Sequence, residues 1–337
     1  MGDGGTGAPP RAAVVGTGLI GGSVLLRLRQ AGLDVAAWDP DPATRALARD
    51  RGLASPDTIA QAVAGRDVVF LCGPLPTLTA TLAQVAAVTG PDCVLTDVGS
   101  TKRAVAAFAA AHGLAGRFVP GHPMAGTERA GLAAASPDLF TGAAWVLCPD
   151  PAGIGRFRVL TALLREVFRA RVVPMDAVVH DRVVALSSHV PHLLAGGLAG
   201  AVDASPVRDA VLSLAAGSFR DGTRVAGTPA PRTANMLLDN RDEVLAQLDE
   251  VRAALDELAT ALRRDDRAAL VAGYQRAATA RAAVAAAGSR PVRADFPLDA
   301  DPADEVAWLC DLGTAGGHLT DCRVAGGVVA YRGLRPA

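Results

Sequence analysis

The chain has 337 residues, half of them hydrophobic, which is enough for two domains and a large core. Lys plus Arg number 33 and Asp plus Glu 34, so no basic excess recommends a nucleic-acid partner. The five cysteines (Cys72, Cys93, Cys148, Cys310, Cys322) show no CxxC spacing, which fits a reducing cytoplasm and not a disulfide framework.

The first ten residues, MGDGGTGAPP, lack a basic segment followed by an apolar one, so the expectation is a disordered lead-in and no signal peptide. Ala12 to Val15 then reads as a buried parallel strand. It runs into Gly16-x-Gly18-x-x-Gly21, and a helix-compatible apolar run follows from Val24 to Leu28. Strand, glycine turn and helix in that order make the dinucleotide-binding fingerprint. Gly16 allows a tight turn, Gly18 lets the backbone approach a pyrophosphate, and Gly21 lets helix pack on strand. Leu19 and Ile20 fall at the helix start, where free N–H groups and a partial positive charge favour phosphate. A second strand, Asp34 to Trp38, ends at Asp39, eighteen residues after Gly21. A carboxylate there accepts bonds from the ribose hydroxyls and repels a 2′-phosphate, which favours NAD over NADP. The competing reading of Asp39 is a cap for the next helix, since the run is Asp39-Pro-Asp-Pro.

Short helices are expected over Ala43 to Arg51 and Asp57 to Ala64. Asp67 to Cys72 reads as a strand buried on both faces. It ends in Gly73-Pro74, a loop of the kind that lines the cofactor crevice. Thr77 to Val88 is helical, Val94 to Thr96 a strand, Arg103 to His112 a helix, and Phe118 with Val119 a short strand. Ala143 to Cys148 and Arg171 to Pro174 complete the strands. This alternation over residues 1–175 predicts a doubly wound, Rossmann-like α/β domain. Residues 176–288 read as an all-α domain whose Ala-rich helices pack on one another across a homodimer. One window in it, Val183 to Val202, is almost wholly apolar. Its Ser187, Ser188, His189, Pro191 and His192 favour a buried, pocket-lining helix over a membrane span. Residues 289–337 form a tail with its own character.

Chemistry-bearing residues collect at strand ends. Ser100 and His122 each follow a core strand at its carboxyl end, and in a doubly wound sheet those ends adjoin the cofactor crevice. His180, His189 and His192 fall within thirteen residues. No carboxylate or cysteine stands near them at zinc-like spacing, and Pro191 spoils a simple helical pair, so no metal is expected. For each of the three, a hydrogen-bonded core histidine is the competing reading.

Several motifs resemble one family. Gly121 to Gly131, GHPMAGTERAG, is similar to the GHPxAGxExxG signature of the prephenate and arogenate dehydrogenases of tyrosine biosynthesis (the TyrA family). DVGSTK at Asp97 resembles its DxGSxK, HDRVVALSSHVPH at His180 its HDxxxAxxSHLPH, and FRDGTRVA at Phe219 its FRDxTRxA. Asn240-Arg-Asp-Glu-Val244 matches a later helix. The resemblance implies that His122 is the base on the substrate's C4 hydroxyl, with Ser100 contacting that hydroxyl and orienting His122. It implies that Arg224 pairs with a substrate carboxylate and that His192 positions the substrate. His189 and His180 would shape or cap the pocket, with Glu128 and its neighbour Thr127 at the mouth. Lys102 and Arg220 are weaker candidates, each open to reading as a surface or helix-cap charge.

The implied activity is NAD-dependent oxidative decarboxylation of prephenate, with arogenate or 4-amino-4-deoxyprephenate as alternative substrates. A non-catalytic NAD-binding sensor is the remote alternative. A 3-hydroxyacid dehydrogenase is discounted because no lysine occurs after Asp176. Two features depart from the family. Thr233 stands where a Trp is frequent, seven residues before Asn240. Pro297 to Val324 resembles only the first half of an ACT regulatory module, with a helix over Glu305 to Leu312 and a strand over Leu319 to Val324.

Overall fold

The structure, a computed structural model, describes residues 10–127, 129–286 and 288–337. The expected lead-in over residues 1–9, and Glu128, lie outside the described residues. The chain divides into two compact units. One comprises the residues up to His180 with Val292–Gly333; the other comprises Asp181–Pro291 with Leu334–Ala337.

The first unit opens with β1 (Ala12–Val15), α1 (Leu19–Gln30), β2 (Val35–Trp38), α2 (Pro42–Asp50), α3 (Ile59–Val63) and β3 (Val68–Leu71). It continues with α4 (Leu75–Val88), β4 (Val94–Asp97), α5 (Arg103–Ala111) and β5 (Phe118–Val119). The five strands form one parallel sheet in the order β2-β1-β3-β4-β5. Side chains alternate across it. Ala12 and Val14 pack toward Val24, Leu25 and Leu28 of α1, whereas Ala13 and Val15 pack toward Ile59, Leu78 and Val105 on the other face. Burial of both faces explains why these strands read as continuous apolar runs. The connection direction reverses between β1 and β3, and the crevice at that switch point is where open α/β sheets bind ligands.

Pro120 ends β5, and the chain steps into a second sheet through β6 (Gly121–Pro123), β7 (Ala144–Leu147), α6 (Ile154–Glu166) and β8 (Arg171–Pro174). The second unit is helical, as the composition predicts. α7 (Ala177–Val184) crosses the boundary between the units and runs through a π-helical turn, Ala185–His189, into α8 (Val190–Asp203). Then come α9 (Arg208–Ser213), α10 (Gly217–Thr223), α11 (Ala230–Asp239), α12 (Arg241–Arg263) and α13 (Arg267–Ala286). The continuous stretch Ala177–Asp203 is long and apolar enough to cross a bilayer by length and composition alone. It is not the buried helix the sequence suggested: 28% of its most apolar window is buried, and Val183, Leu186, Leu194 and Leu198 are exposed.

The tail is β9 (Ser289–Pro297), α14 (Pro302–Thr314), β10 (His318–Ala325) and β11 (Val328–Pro336). Residues 292–333 belong to the first unit and form no separate appendage. β10 pairs antiparallel with β8, giving a six-stranded sheet in the order β6-β7-β8-β10-β11-β9. α14 lies so close to β8 that a Cβ on Gly313 would stand 1.6 Å from the Pro174 carbonyl oxygen. On its inner face, Glu305 is 2% exposed. It receives Arg158 Nε at 2.9 Å and the Tyr331 hydroxyl at 2.6 Å. β11 was not foreseen, although Gly326 and Gly327, both at positive φ, are a strong hairpin signal.

Candidate functional site

The glycine turn has the geometry its spacing predicts. Gly16 adopts φ +94°, and a Cβ there would collide with Cys72 and Gly73 at 2.8–2.9 Å, so the turn is wedged against the end of β3. A Cβ on Gly21 would lie 1.8 Å from the Gly16 carbonyl oxygen. Around the Cβ position of Gly18, by contrast, no atom stands within 4 Å. The α1 N-terminus, with Leu19 and Ile20 in its first turn, carries no side-chain cap, whereas Asp41 caps α2 and Thr58 caps α3. An uncapped helix start beside open space suits a pyrophosphate. Gly73 and Pro74 form the turn between β3 and α4, against the wedge at Gly16.

Asp39 sits at the end of β2 and does not cap α2; Asp41 does, accepting from Ala43 and Thr44. The Asp39 carboxylate is instead held by the glycine turn itself. Its Oδ2 accepts from the Thr17 backbone N–H at 2.7 Å and hydroxyl at 3.2 Å, and its Oδ1 from the Asp41 N–H at 3.0 Å. Remaining lone pairs on the half-buried carboxylate leave room for ribose hydroxyls. Thr17 was missed by sequence reasoning because it is only an x in the glycine motif.

His122 is the middle residue of β6, opposite Val146 of β7. A chain of neighbours links it to the crevice: Gly16 abuts Cys72 after β3, Leu71 pairs with Asp97 of β4, and Asp97 accepts from the Gly121 N–H at 3.0 Å. The His122 ring is half-buried, and its Nδ1 lies 2.9 Å from Nε2 of His180, which is 1% exposed. One of those facing nitrogens must be unprotonated for the bond to form. For His122 to keep a lone pair on Nε2, its Nδ1–H must donate to His180. His180 is therefore one partner of the ring, through Nδ1. Ser100 is half-buried on the loop after β4, and among the described residues no hydrogen bond ties it to His122. Thr127 is exposed, its hydroxyl accepting from the Arg129 N–H at 3.2 Å.

In the second unit the histidines part company. His189 is fully buried in the π-helical turn, with Nδ1 3.2 Å from the Asn240 amide nitrogen, which also donates to the Asp181 carbonyl at 2.7 Å. It is a hydrogen-bonded core residue with no exposed surface, so a part in shaping the pocket would be through packing. His192 is half-buried, and its Nδ1 donates to the Ser188 carbonyl at 2.9 Å, so Nε2 faces away with a lone pair in the neutral ring. The extra residue of the π turn precedes Pro191, which has no N–H to give the helix. Arg224 follows α10, exposed, with no ion pair among the described residues.

Comparisons with known proteins identify the family of the two domains. Family models described as the prephenate dehydrogenase nucleotide-binding domain and dimerization domain match residues 24–173 and 176–276. A cyclohexadienyl dehydrogenase of Zymomonas mobilis is 32% identical over 278 residues, covering 81% of this chain and 95% of that protein. The chain belongs to the prephenate dehydrogenase family. Among solved structures of this family, Synechocystis arogenate dehydrogenase shares 28% identity with a TM-score of 0.71, covering 81% of this chain and 99% of that one. A prephenate dehydrogenase from A. aeolicus, solved with hydroxyphenyl propionate and NAD+, shares the fold at a TM-score of 0.76 and 24% identity, covering 83% and 100%. The first domain of this prephenate dehydrogenase family member is therefore a nucleotide-binding domain, and the residues of its cradle fit a dinucleotide.

Two residues of the family's DxGSxK motif lie in the interior. Asp97 and Lys102 are both 0% exposed and form a buried ion pair. Burial overturns the reading of Lys102 as a surface charge, and although it stands at the N-cap position of α5 its side chain makes no capping bond there. Among the described residues, no group of three or more His, Cys, Asp or Glu could hold a metal ion.

Proposed function

We propose that this chain is an NAD-dependent prephenate dehydrogenase that works as a cytoplasmic homodimer. The observation that carries the reading is the contact between His122, on β6, and His180, on α7. NAD, when bound, accepts the hydride that leaves C4 of the substrate. His122 takes the C4 hydroxyl proton on Nε2 while His180 accepts from Nδ1–H, so the imidazolium formed keeps a neutral partner. Ser100 contacts the same hydroxyl. Arg224, with an uncommitted guanidinium, pairs with a substrate carboxylate, and His192 positions the ring. Loss of the ring carboxylate as CO2 then leaves an aromatic product. Asp39 supports NAD over NADP.

The homodimer is supported by the exposed apolar residues of the second unit, among them Leu214, Leu238, Leu262 and Val284, and by the family's dimerization domain over residues 176–276. Arogenate stands as the second reading of the substrate, favoured by the likeness to an arogenate dehydrogenase. The test is a rate comparison of prephenate, arogenate and 4-amino-4-deoxyprephenate, each with NAD and with NADP. Fastest turnover of prephenate with NAD is expected. No turnover of any of the three would leave a nucleotide-binding sensor.

A further inference from the structure

Lys102 is the only lysine among the 33 Lys and Arg residues of the chain, and it is completely buried. Everywhere else this protein uses arginine for positive charge. The ammonium pairs with Asp97 and donates to the carbonyl of Gly121 at 2.8 Å. Asp97 in turn accepts the N–H of the same Gly121 at 3.0 Å, and that of Gly99 at 2.8 Å. Both main-chain polar groups of the residue immediately before His122 are therefore taken by one ion pair. β6 is the edge strand of the second sheet, and Gly121, opposite Leu147, turns its N–H and C=O away from β7 toward this pair. No side chain fits at Gly121: a Cβ would stand 2.8 Å from the Asp97 carbonyl oxygen and 3.2 Å from Trp145 Nε1.

We infer that Lys102 and Asp97 form a positioning clamp that fixes the peptide groups on both sides of the Gly121 Cα, and through them the direction of the His122 ring. The inference rests on the reading of His122 as the base. Neither clamp residue can touch substrate or cofactor, because neither has exposed surface. Burial of an ion pair is poor evidence for stability, since apolar replacement of both partners is often neutral or stabilising. What such a replacement cannot do is hold both the N–H and the C=O of one residue, and so two successive peptide groups, at the junction of two sheets. Arginine is also no substitute. Its planar fork is larger and cannot converge, as a single ammonium does, on one carboxylate oxygen and one carbonyl in a closed space.

Lys102→Met removes the donor but leaves Asp97 charged and buried, so the double variant Asp97→Asn/Lys102→Met serves where the single one folds poorly. Each is measured with whichever cyclohexadienyl substrate the natural protein turns over fastest. In the double variant kcat falls by up to about 100-fold, the cost of a misplaced reacting group, while NAD affinity and melting temperature stay near the natural values. Lys102→Gln, which keeps a neutral donor, recovers part of the loss. Nitrogen-15 NMR of histidine-labelled protein shows His122 moving from one dominant tautomer to a mixture. A folded double variant with natural kcat and an unchanged His122 tautomer overturns the inference. If the natural protein turns over none of the three substrates, the proposed function fails, and the tautomer measurement still decides the clamp.

Discussion

At the scale of single residues, two side chains carry the proposed chemistry in different ways. General-base assistance is worth about 10²–10⁴-fold. His122→Asn keeps a hydrogen-bonding group without a proton-accepting nitrogen, so kcat should fall by about that factor, with NAD affinity retained. The acid limb of the pH profile, which an ordinary histidine base produces as it protonates, should vanish with it. Near-natural turnover in that variant would move the base elsewhere. Asp39 is held by Thr17 and is free of any capping duty. Asp39→Asn should weaken NAD and relax discrimination against NADP. An unchanged ratio of kcat/KM for the two cofactors would remove Asp39 from cofactor choice.

At the scale of elements, most of the tail is built into the first unit. The Arg158–Glu305–Tyr331 cluster ties α6, α14 and β11 together, with Trp308 stacked on Tyr331 at 5.9 Å. Burial pushes the Tyr331 hydroxyl well above the ordinary phenol range. It therefore stays a donor to Glu305 at any physiological pH. Removing one partner of a buried pair leaves the other uncompensated, so Glu305→Ala should destabilise the first unit by roughly 3 kcal/mol, read from urea unfolding. A loss below about 0.5 kcal/mol, the level of an exposed pair, would show that the tail is held by apolar contact alone. His318 at the start of β10 supplies a pH-dependent term. Burial first, and Arg171 second, hold it below the ordinary histidine value of 6.5. Its folded form thus resists a proton that the unfolded chain accepts. Stability should fall as pH drops below about 6.5 and continue to fall until the folded value is passed. His318→Gln should flatten that slope, and an unaltered slope would assign it to other groups.

At the scale of the whole molecule, the second unit exposes several large apolar side chains, which a partner copy would cover in the proposed dimer. Leu214 is 82% and Leu238 69% exposed. Sedimentation at micromolar concentration should therefore find a dimer. A monomer that remains soluble would count against the proposed assembly and leave the outward apolar residues of Ala177–Asp203 without an explanation.

Much was legible in the chain itself. Strands buried on both faces are continuous apolar runs, and the glycine turn repeats its spacing for steric reasons, so β1 to β4 and the cradle could be read directly. Gly16, Gly21, Asp39 and His122 belong to that group, because each is marked by a local pattern. The partners of those residues were not legible. Thr17 under Asp39, His180 beside His122, and Asp97 with Lys102 around Gly121 are joined across 22, 58, 24 and 19 residues of sequence. No local periodicity encodes such distances. Whether a histidine or a lysine is buried is likewise a property of what packs over it. That is why His189 proved to be core and Lys102 interior, and why a tail that reads as a separate appendage completes a sheet begun at Gly121.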